Sequence, residues 1–481
     1  MDKLINIAYV ASEATPFVKV GGLADVAGSL PKALNSLNDD NFDGIKLDMR
    51  VVLPLHNCGD TNNLIMERFL SFQLTEGFGD IEITAYKTLM NDTITYFLDG
   101  SFLSDSSNVY SENPVEDQKK FIQFSFAAVR FFQLIDWKVD IFHVNDWHTA
   151  LCLAIIKMPV FSDFYSFTKS VLTIHNLPYL GGNSDQILKK FGMLRANDIN
   201  MPTWAQDQFL PIGIVAADEI VTVSKTYAEE IQTPNYGCGL ENYLLKNRNK
   251  IRGIINGLDS DYWNPVTDKH LYRRFSIETL HLRLENKEDL LCSIGLKIER
   301  KIPLVGMVTR INHQKGIDLA LNVFESILAE DWQLVILGSG DSNLENDVIN
   351  FQKKYPGKVR FLCKYDESMA HKIYSGTDLF LMPSRYEPCG LSQMIANRYG
   401  SIPIVTGVGG LKDTIIHEKN GYVAPEVNEI SIKKVMERAF MVFDDLDRWR
   451  LHQKNGMRMD YSWTNSAKEY VVLYRQLMAR K

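Results

Sequence analysis

The sequence predicts an α/β protein of two doubly wound domains, each a mostly parallel sheet with helices on its faces. Three observations carry this expectation. Short apolar runs recur, each followed by a loop rich in Gly, Asp or Ser and then by a helical period. The series runs through the first half of the chain and starts again in the second. Its 481 residues exceed what one core holds at the usual size of roughly 100–200 residues per domain. The composition, 45% hydrophobic and 23% charged, is that of a globular chain able to fill two cores, which excludes disordered, collagen-like and disulfide-scaffold classes.

In chain order, the strand-like runs of the first half are residues 4–10, 49–55, 141–144, 171–174 and 220–223, with a hairpin turning at Asn91-Asp92. They suit a parallel sheet with one antiparallel excursion. Residues 254–265, where turn formers follow a strand and Pro265 blocks continuation, read as the linker. Residues 267–300 are charged and helix-prone, an entry to the second series. That series comprises residues 304–308, 334–337, 359–362, 379–382 and 402–405. Residues 463–481 form a helix whose Ala467, Tyr470, Val471 and Tyr474 recur at three- and four-residue spacing, so one face packs on a domain. The expected domains are residues 1–255 and 256–460, with 461–481 as a terminal helix.

Lysine and arginine total 52 against 59 acidic residues, a net charge of −7, so a broad basic surface for nucleic acid is excluded and any anionic ligand needs locally placed cations. Six cysteines, Cys58, Cys152, Cys238, Cys292, Cys363 and Cys389, lie scattered without zinc-ligand or disulfide-framework spacing. No apolar run approaches the ~20 residues of a membrane span. The first strand starts at Leu4 with no leader ahead of it, which leads to the expectation of a reducing, cytoplasmic setting.

In open α/β sheets, ligands sit beyond the carboxyl ends of the strands, so the loops there are the candidates for chemistry. After the first strand, Gly21-Gly22 precede a helix, where backbone N–H groups can meet an anion, and Lys19 adds a full charge. Neither the G-x-G-x-x-G fingerprint nor a P-loop occurs. After residue 308, Arg310 and Lys315 stand before Gly316 and a helix start, a fork and a point charge suited to a diphosphate. In residues 383–393, Pro388 and Gly390 set a sharp turn. A helix opening near Leu391 would offer its amides and Ser392 to phosphate oxygens. Glu387 there has two readings, a partner for sugar hydroxyls or a salt bridge to Arg385. Cys389 reads as structural. His148 and His175 both stand at strand ends, His175 being the better candidate for the site. Asp259-Ser260-Asp261 formally matches a metal-holding Asp-x-Asp, but its place in the linker favours a turn.

Together these segments resemble the bacterial glycogen synthase family, the starch synthase type that uses a nucleotide-diphosphate glucose. The resemblance covers essentially the whole chain. Its carriers in the first half are residues 11–13 with 19–26, then Asn-Asp-Trp-His at 145–148, Ile-His-Asn-Leu at 174–177, and residues 223–228, 236–241 and 256–259. In the second half they are Arg-Ile-Asn-His-Gln-Lys-Gly at 310–316, the run 383–393 and Gly-Gly-Leu-Lys-Asp-Thr at 409–414. The resemblance implies a GT-B fold, two Rossmann-like domains facing a cleft, with the last helix returning to the first domain. It implies a retaining transfer of glucose from ADP-glucose to the non-reducing 4-hydroxyl of an α-1,4-glucan, in glycogen biosynthesis, with no cofactor or metal.

The implied catalytic set is Lys19, His175, Arg310, Lys315 and Glu387. Donor binding would also draw on Gly21, Gly22, Asp25, Asp146, Asn256, Tyr365, Cys389, Gly390, Leu391 and Ser392, with Tyr365 stacking on the base. The partners implied are the nucleotide sugar and glycogen, with no nucleic acid or membrane. Val20 stands where the family commonly has Thr, and Pro211-Ile212-Gly213 where Lys-Gly-Gly is frequent before Ala217-Asp218. Residues 183–208 match poorly, and Ile395 takes the place of a second glutamate found in related transferases. The alternatives are a GT-B enzyme using UDP-glucose or a small acceptor, and a catalytically silent glucan-binding homologue.

Overall fold

The computed structural model describes residues 3–37, 44–62, 64–77, 79–103, 108–364 and 366–480. The chain divides into two units, one formed by Met1–Gly257 with Trp463–Lys481 and the other by Leu258–Ser462. Asn256, placed by the sequence reading at the head of the second domain, therefore belongs to the first unit.

Unit 1 holds a nine-stranded sheet. Its strands are β1 (Lys3–Val10), β2 (Ile45–Pro54), β3 (Glu67–Leu74), β4 (Ile81–Met90), β5 (Thr93–Asp99), β6 (Ile141–Asn145), β7 (Lys169–Ile174), β8 (Glu219–Thr222) and β9 (Ile251–Gly253). They lie in the order β3-β4-β5-β2-β1-β6-β7-β8-β9. Only β4 runs against its neighbours. It joins β5 through Asn91 and Asp92, both at positive φ (48° and 60°), the two-residue turn whose twist matches that of the strands. Strands β6, β7 and β8 are buried along almost their whole length, as befits strands covered by helices on both faces. Helix Gly22–Ser36 and helix Trp463–Ala479 pack together, so Val26, Leu30 and Leu34 share one core with Ala467, Tyr470, Val471 and Tyr474 over Ile5, Ile7 and Tyr9.

Unit 2 holds a six-stranded, all-parallel sheet. Its strands are β10 (Leu304–Val308), β11 (Gln333–Leu337), β12 (Val359–Leu362), β13 (Leu379–Met382), β14 (Ile402–Thr406) and β15 (Tyr422–Ala424), ordered β12-β11-β10-β13-β14-β15. Residues 267–300 depart from the expectation: helix there is confined to Arg283–Ser293 after a single turn at Leu280–Leu282. The stretch ahead of it is pinned by Asp268, whose buried carboxylate accepts from Tyr399 at 2.6 Å and pairs with His371 Nδ1 at 2.6 Å. Those tertiary bonds override local helix preference.

Each sheet has a point where successive strands pass to the other side of its first strand, between β1 and β6 in unit 1 and between β10 and β13 in unit 2. Loops leaving neighbouring strands in opposite directions open a crevice at such a point. All six cysteines are free thiols. Among the described residues no helix is long and apolar enough to cross a membrane.

Candidate functional site

In unit 1 the loop after β1 is shaped by a residue the sequence reading did not single out. Glu13 is buried, and its Oε2 accepts the backbone N–H groups of Val20 and, at 3.1 Å, Gly21. Its Oε1 accepts from the Tyr110 hydroxyl at 3.1 Å. Burial pushes this carboxyl above its ordinary value against the pull of those donors. Gly21 caps helix Gly22–Ser36 and Gly22 is its first residue. The Gly21 amide, expected to be open to an anion, is thus occupied by Glu13. Lys19 is also not a free charge: its Nζ pairs with Asp25 Oδ1 at 2.8 Å, which brings two of the expected site residues together on a half-exposed surface. The signal for Glu13 was its place three residues past a strand that ends at Val10, where a carboxylate meets helix-terminal amides.

Beside this loop, across the β1/β6 reversal, β6 and β7 deliver Asn145, Asp146 and His175. Asp146 takes a left-handed backbone (φ 53°), and its Oδ1 accepts the N–H groups of His175 at 2.7 Å and Asn176 at 3.3 Å. Burial pushes its carboxyl up to about 7. His175 is buried, its Nε2 lies 2.9 Å from Asn145 Oδ1, and desolvation lowers its ring to about 3, so it is neutral at ordinary pH. His148 packs instead, stacked on Tyr110 with ring centroids 4.8 Å apart. Asn256 is buried in the same unit, with its Oδ1 unpaired among the described residues.

In unit 2 the loops after β10 and β13 are knit together. Gly316 adopts φ 67°, and a Cβ there would stand 2.1 Å from the Pro383 carbonyl oxygen, so only glycine allows this approach. Arg385 donates its backbone N–H to the Gln314 carbonyl at 2.8 Å and sets both guanidinium nitrogens on Asp318, at 2.8 and 2.6 Å. The alternative reading of Glu387, a bridge to Arg385, does not hold, because Asp318 takes that guanidinium. Glu387 instead pairs with Lys315, Oε2 to Nζ 2.6 Å, and accepts from the Ser384 hydroxyl at 3.0 Å. Lys315, expected as a mobile charge, is held here; its side chain is 16% exposed and that of Glu387 8%. Arg310 is exposed and makes no ion pair among the described residues.

Gly390 takes φ 73° at the turn, and the helix after it spans Ser392–Arg398, one residue later than expected, with Leu391 at its N-cap. The Ser392 hydroxyl accepts from Tyr374 at 2.9 Å. Cys389 is buried, its carbonyl accepting from Gln393 Nε2 at 3.1 Å, as suits a structural residue. The Gly410 N–H donates to the Glu387 carbonyl at 3.1 Å, and a Cβ on Gly410 would lie 2.2 Å from the Cys389 oxygen, so the 409–414 motif buttresses the Glu387 turn. Tyr365 lies outside the described residues. Asp259 forms a turn, its Oδ1 accepting from the N–H groups of Asp261 and Tyr262 at 3.0 Å each.

Residues 6–246 match the starch synthase catalytic domain, and residues 295–443 match glycosyl transferases group 1. The glycogen synthase of Clostridium beijerinckii is 38% identical over 98% of this chain and 99% of its own. The chain belongs to the glycogen synthase and starch synthase family. The glycogen synthase of Thermotoga maritima is 37% identical over 99% of both chains. The catalytic domain of starch synthase IV from Arabidopsis thaliana, solved bound to ADP and acarbose, superposes with a TM-score of 0.89 at 30% identity, covering 99% of this chain and 100% of that one. Sucrose-phosphate synthase from Thermosynechococcus elongatus shares the fold, with a TM-score of 0.62 at 17% identity.

This family member is a glycosyltransferase of the GT-B class. Two of its departures from the family pattern have defined local settings. Val20 presents its backbone N–H to Glu13 while its side chain is exposed. Pro211-Ile212-Gly213 lies inside helix Phe209–Ala216, where a Cβ on Gly213 would come 2.6 Å from that of Ala150.

Proposed function

We propose that this chain transfers glucose from ADP-glucose to the non-reducing 4-hydroxyl of an α-1,4-glucan with retention at the anomeric carbon. The observation that carries the reading is the buried Lys315–Glu387 pair at the strand-order reversal of unit 2, with the exposed Arg310 on the same loop as Lys315. Two cations beside one buried carboxylate suit a ligand with a diphosphate at one end and sugar hydroxyls at the other.

Retention by double displacement needs a carboxylate free to attack the anomeric carbon. Glu387 is engaged by Lys315 and Ser384, so it is assigned to the glucose hydroxyls rather than to attack. The reaction then runs on one face of the sugar. The bond from the anomeric carbon to the diphosphate breaks, the bond to the acceptor oxygen forms, and the 4-hydroxyl proton passes to the departing diphosphate. Arg310 and Lys315 stabilise the charge that develops there, a preorganised electrostatic contribution. His175, neutral, serves as a hydrogen-bonding partner of the sugar, and Asp146 holds its backbone. Neutralisation by fixed side chains assigns no step to a metal, so turnover is expected to survive EDTA.

The choice of ADP is supported by the ADP bound to the Arabidopsis relative. The test is glucose incorporation into a glycogen primer by the purified chain, with ADP-glucose and UDP-glucose compared. The expected result is ADP release matched by new chain ends degradable by an α-1,4-specific glucosidase. Failure with both donors overturns the proposal, and transfer from UDP-glucose alone overturns the donor assignment.

A further inference from the structure

Asn145 is fixed in one orientation. Its Nδ2 donates to the Val10 carbonyl at 3.0 Å, so Oδ1 is the atom facing the Tyr9 hydroxyl at 3.1 Å and His175 Nε2 at 2.9 Å. The flipped amide would set oxygen against the Val10 carbonyl oxygen and NH2 against the donor hydroxyl. An amide oxygen only accepts, so the hydrogen in its contact with His175 resides on Nε2. In a neutral ring the other nitrogen is then bare. No hydrogen bond reaches His175 Nδ1 among the described residues, and Asp146 grips the His175 and Asn176 amides so that the ring is held at its backbone as well.

We infer that Asn145, steadied by Tyr9, is a positioning residue that locks His175 in the Nε2–H tautomer and thereby presents Nδ1 as an acceptor for a sugar hydroxyl. This rests on the glucosyl-transfer reading above. Two further facts favour the lock. Burial keeps the ring neutral, so a second proton does not erase the difference between its nitrogens, and burial pushes the Tyr9 phenol well above its ordinary value, so its hydroxyl stays a donor. With Nδ1 protonated instead, the ring would meet the sugar as a donor and leave Asn145 Oδ1 one partner short in a buried site, a recognised cost. The Asn-Asp pair at 145–146 thus has a joint task, one residue setting the ring and the next setting the backbone of His175.

The test is a long-range 1H–15N correlation on the full chain labelled with [15N]histidine at pH 7, with His175 assigned by its loss in His175→Gln. The expected spectrum shows Nε2 protonated and Nδ1 bare. Asn145→Ala should give mixed tautomers and lower kcat by about 10- to 100-fold, the range for losing a group that orients a functional side chain, with donor KM little changed. Tyr9→Phe, isosteric and certain to fill the same space, should show a smaller loss in the same parameter. A wild-type ring protonated at Nδ1 overturns the lock. A tautomer change in Asn145→Ala at unaltered kcat overturns the positioning role while leaving glucosyl transfer intact. Absence of transfer in the wild type sinks the transfer reading alone, because the spectrum still reports the lock. Should Asn145→Ala fail to fold, the wild-type spectrum and Tyr9→Phe decide.

Discussion

Lys315 and Glu387 each make the other's burial tolerable, and this separates Lys315 from Arg310 although both are cations on one loop. Arg310→Ala should lower kcat by about 10²–10³ and leave stability nearly unchanged, because an exposed guanidinium is lost. Lys315→Ala should lose turnover on the same scale and also about 3 kcal/mol of stability, since a buried carboxylate loses its counter-charge and keeps only the Ser384 hydroxyl. Adding Glu387→Gln to it should restore stability without restoring turnover; steady-state kinetics and urea unfolding of the three variants check this. Glu387→Gln alone should lose turnover more than affinity for ADP, measured by calorimetry, and an equal loss in both contradicts its assignment to the sugar. The residue types here were legible because a glutamate beside a turn and two cations before a helix announce their chemistry. The pairing was not: the bond joins residues 72 apart in sequence, and the nearer Arg385 is claimed by Asp318. Glu13 went unread for the same reason, its amide partners being visible only once the loop has folded over it.

Among the elements, the fully buried parallel strands were legible because both of their faces are apolar, which leaves an unbroken run in the sequence. The expected 304–308 and 379–382 coincide with β10 and β13, and 359–362 coincides with β12, an edge strand that is only partly buried and carries Arg360. The strands that escaped notice, β3 and β15, have no such run: β3 is largely solvent-facing and β15 is three residues long. Helix Trp463–Ala479 was legible from spacing, and its Tyr474 is fully buried with its hydroxyl 2.8 Å from His143 Nδ1. Tyr474→Ala should cost about 3–5 kcal/mol, the range for deleting a core aromatic, read as a shift of the urea midpoint. Gly410→Ala would drive a methyl into the Cys389 carbonyl and displace the Glu387 turn, so a large loss of turnover is expected there, whereas an exposed glycine such as Gly357, with open space around it, should accept alanine.

At the scale of the molecule, unit 1 carries a store of imidazoles that burial keeps neutral: His143 and His175 near 3, His56 near 4, and His148 well below its ordinary value. The unfolded chain protonates them near 6.5, so stability they permit above that pH is lost as the pH falls toward 4. Glu13 and Asp146 act oppositely: their raised carboxyls favour the folded state most at acid pH and less as the pH rises, for Asp146 through about 7. Four imidazoles outweigh two carboxyls, and the net expectation is acid-labile folding. His143→Gln should flatten the acid limb by on the order of 1 kcal/mol per pH unit in thermal melts between pH 4.5 and 7. Melts of equal slope would contradict the neutrality of that ring.

The chain order of the two units has a consequence for biosynthesis. Unit 2 is one continuous segment, Leu258–Ser462, whereas unit 1 needs Trp463–Ala479 to finish the core it began with β1. Translation therefore delivers every residue of unit 2 before unit 1 can close, and domains fold as units while the chain emerges. The apolar groove of unit 1 beside helix Gly22–Ser36 must wait unfilled through some two hundred further codons, so the stretch of the nascent chain made first is the last to mature, and it is the one that depends longest on chaperones.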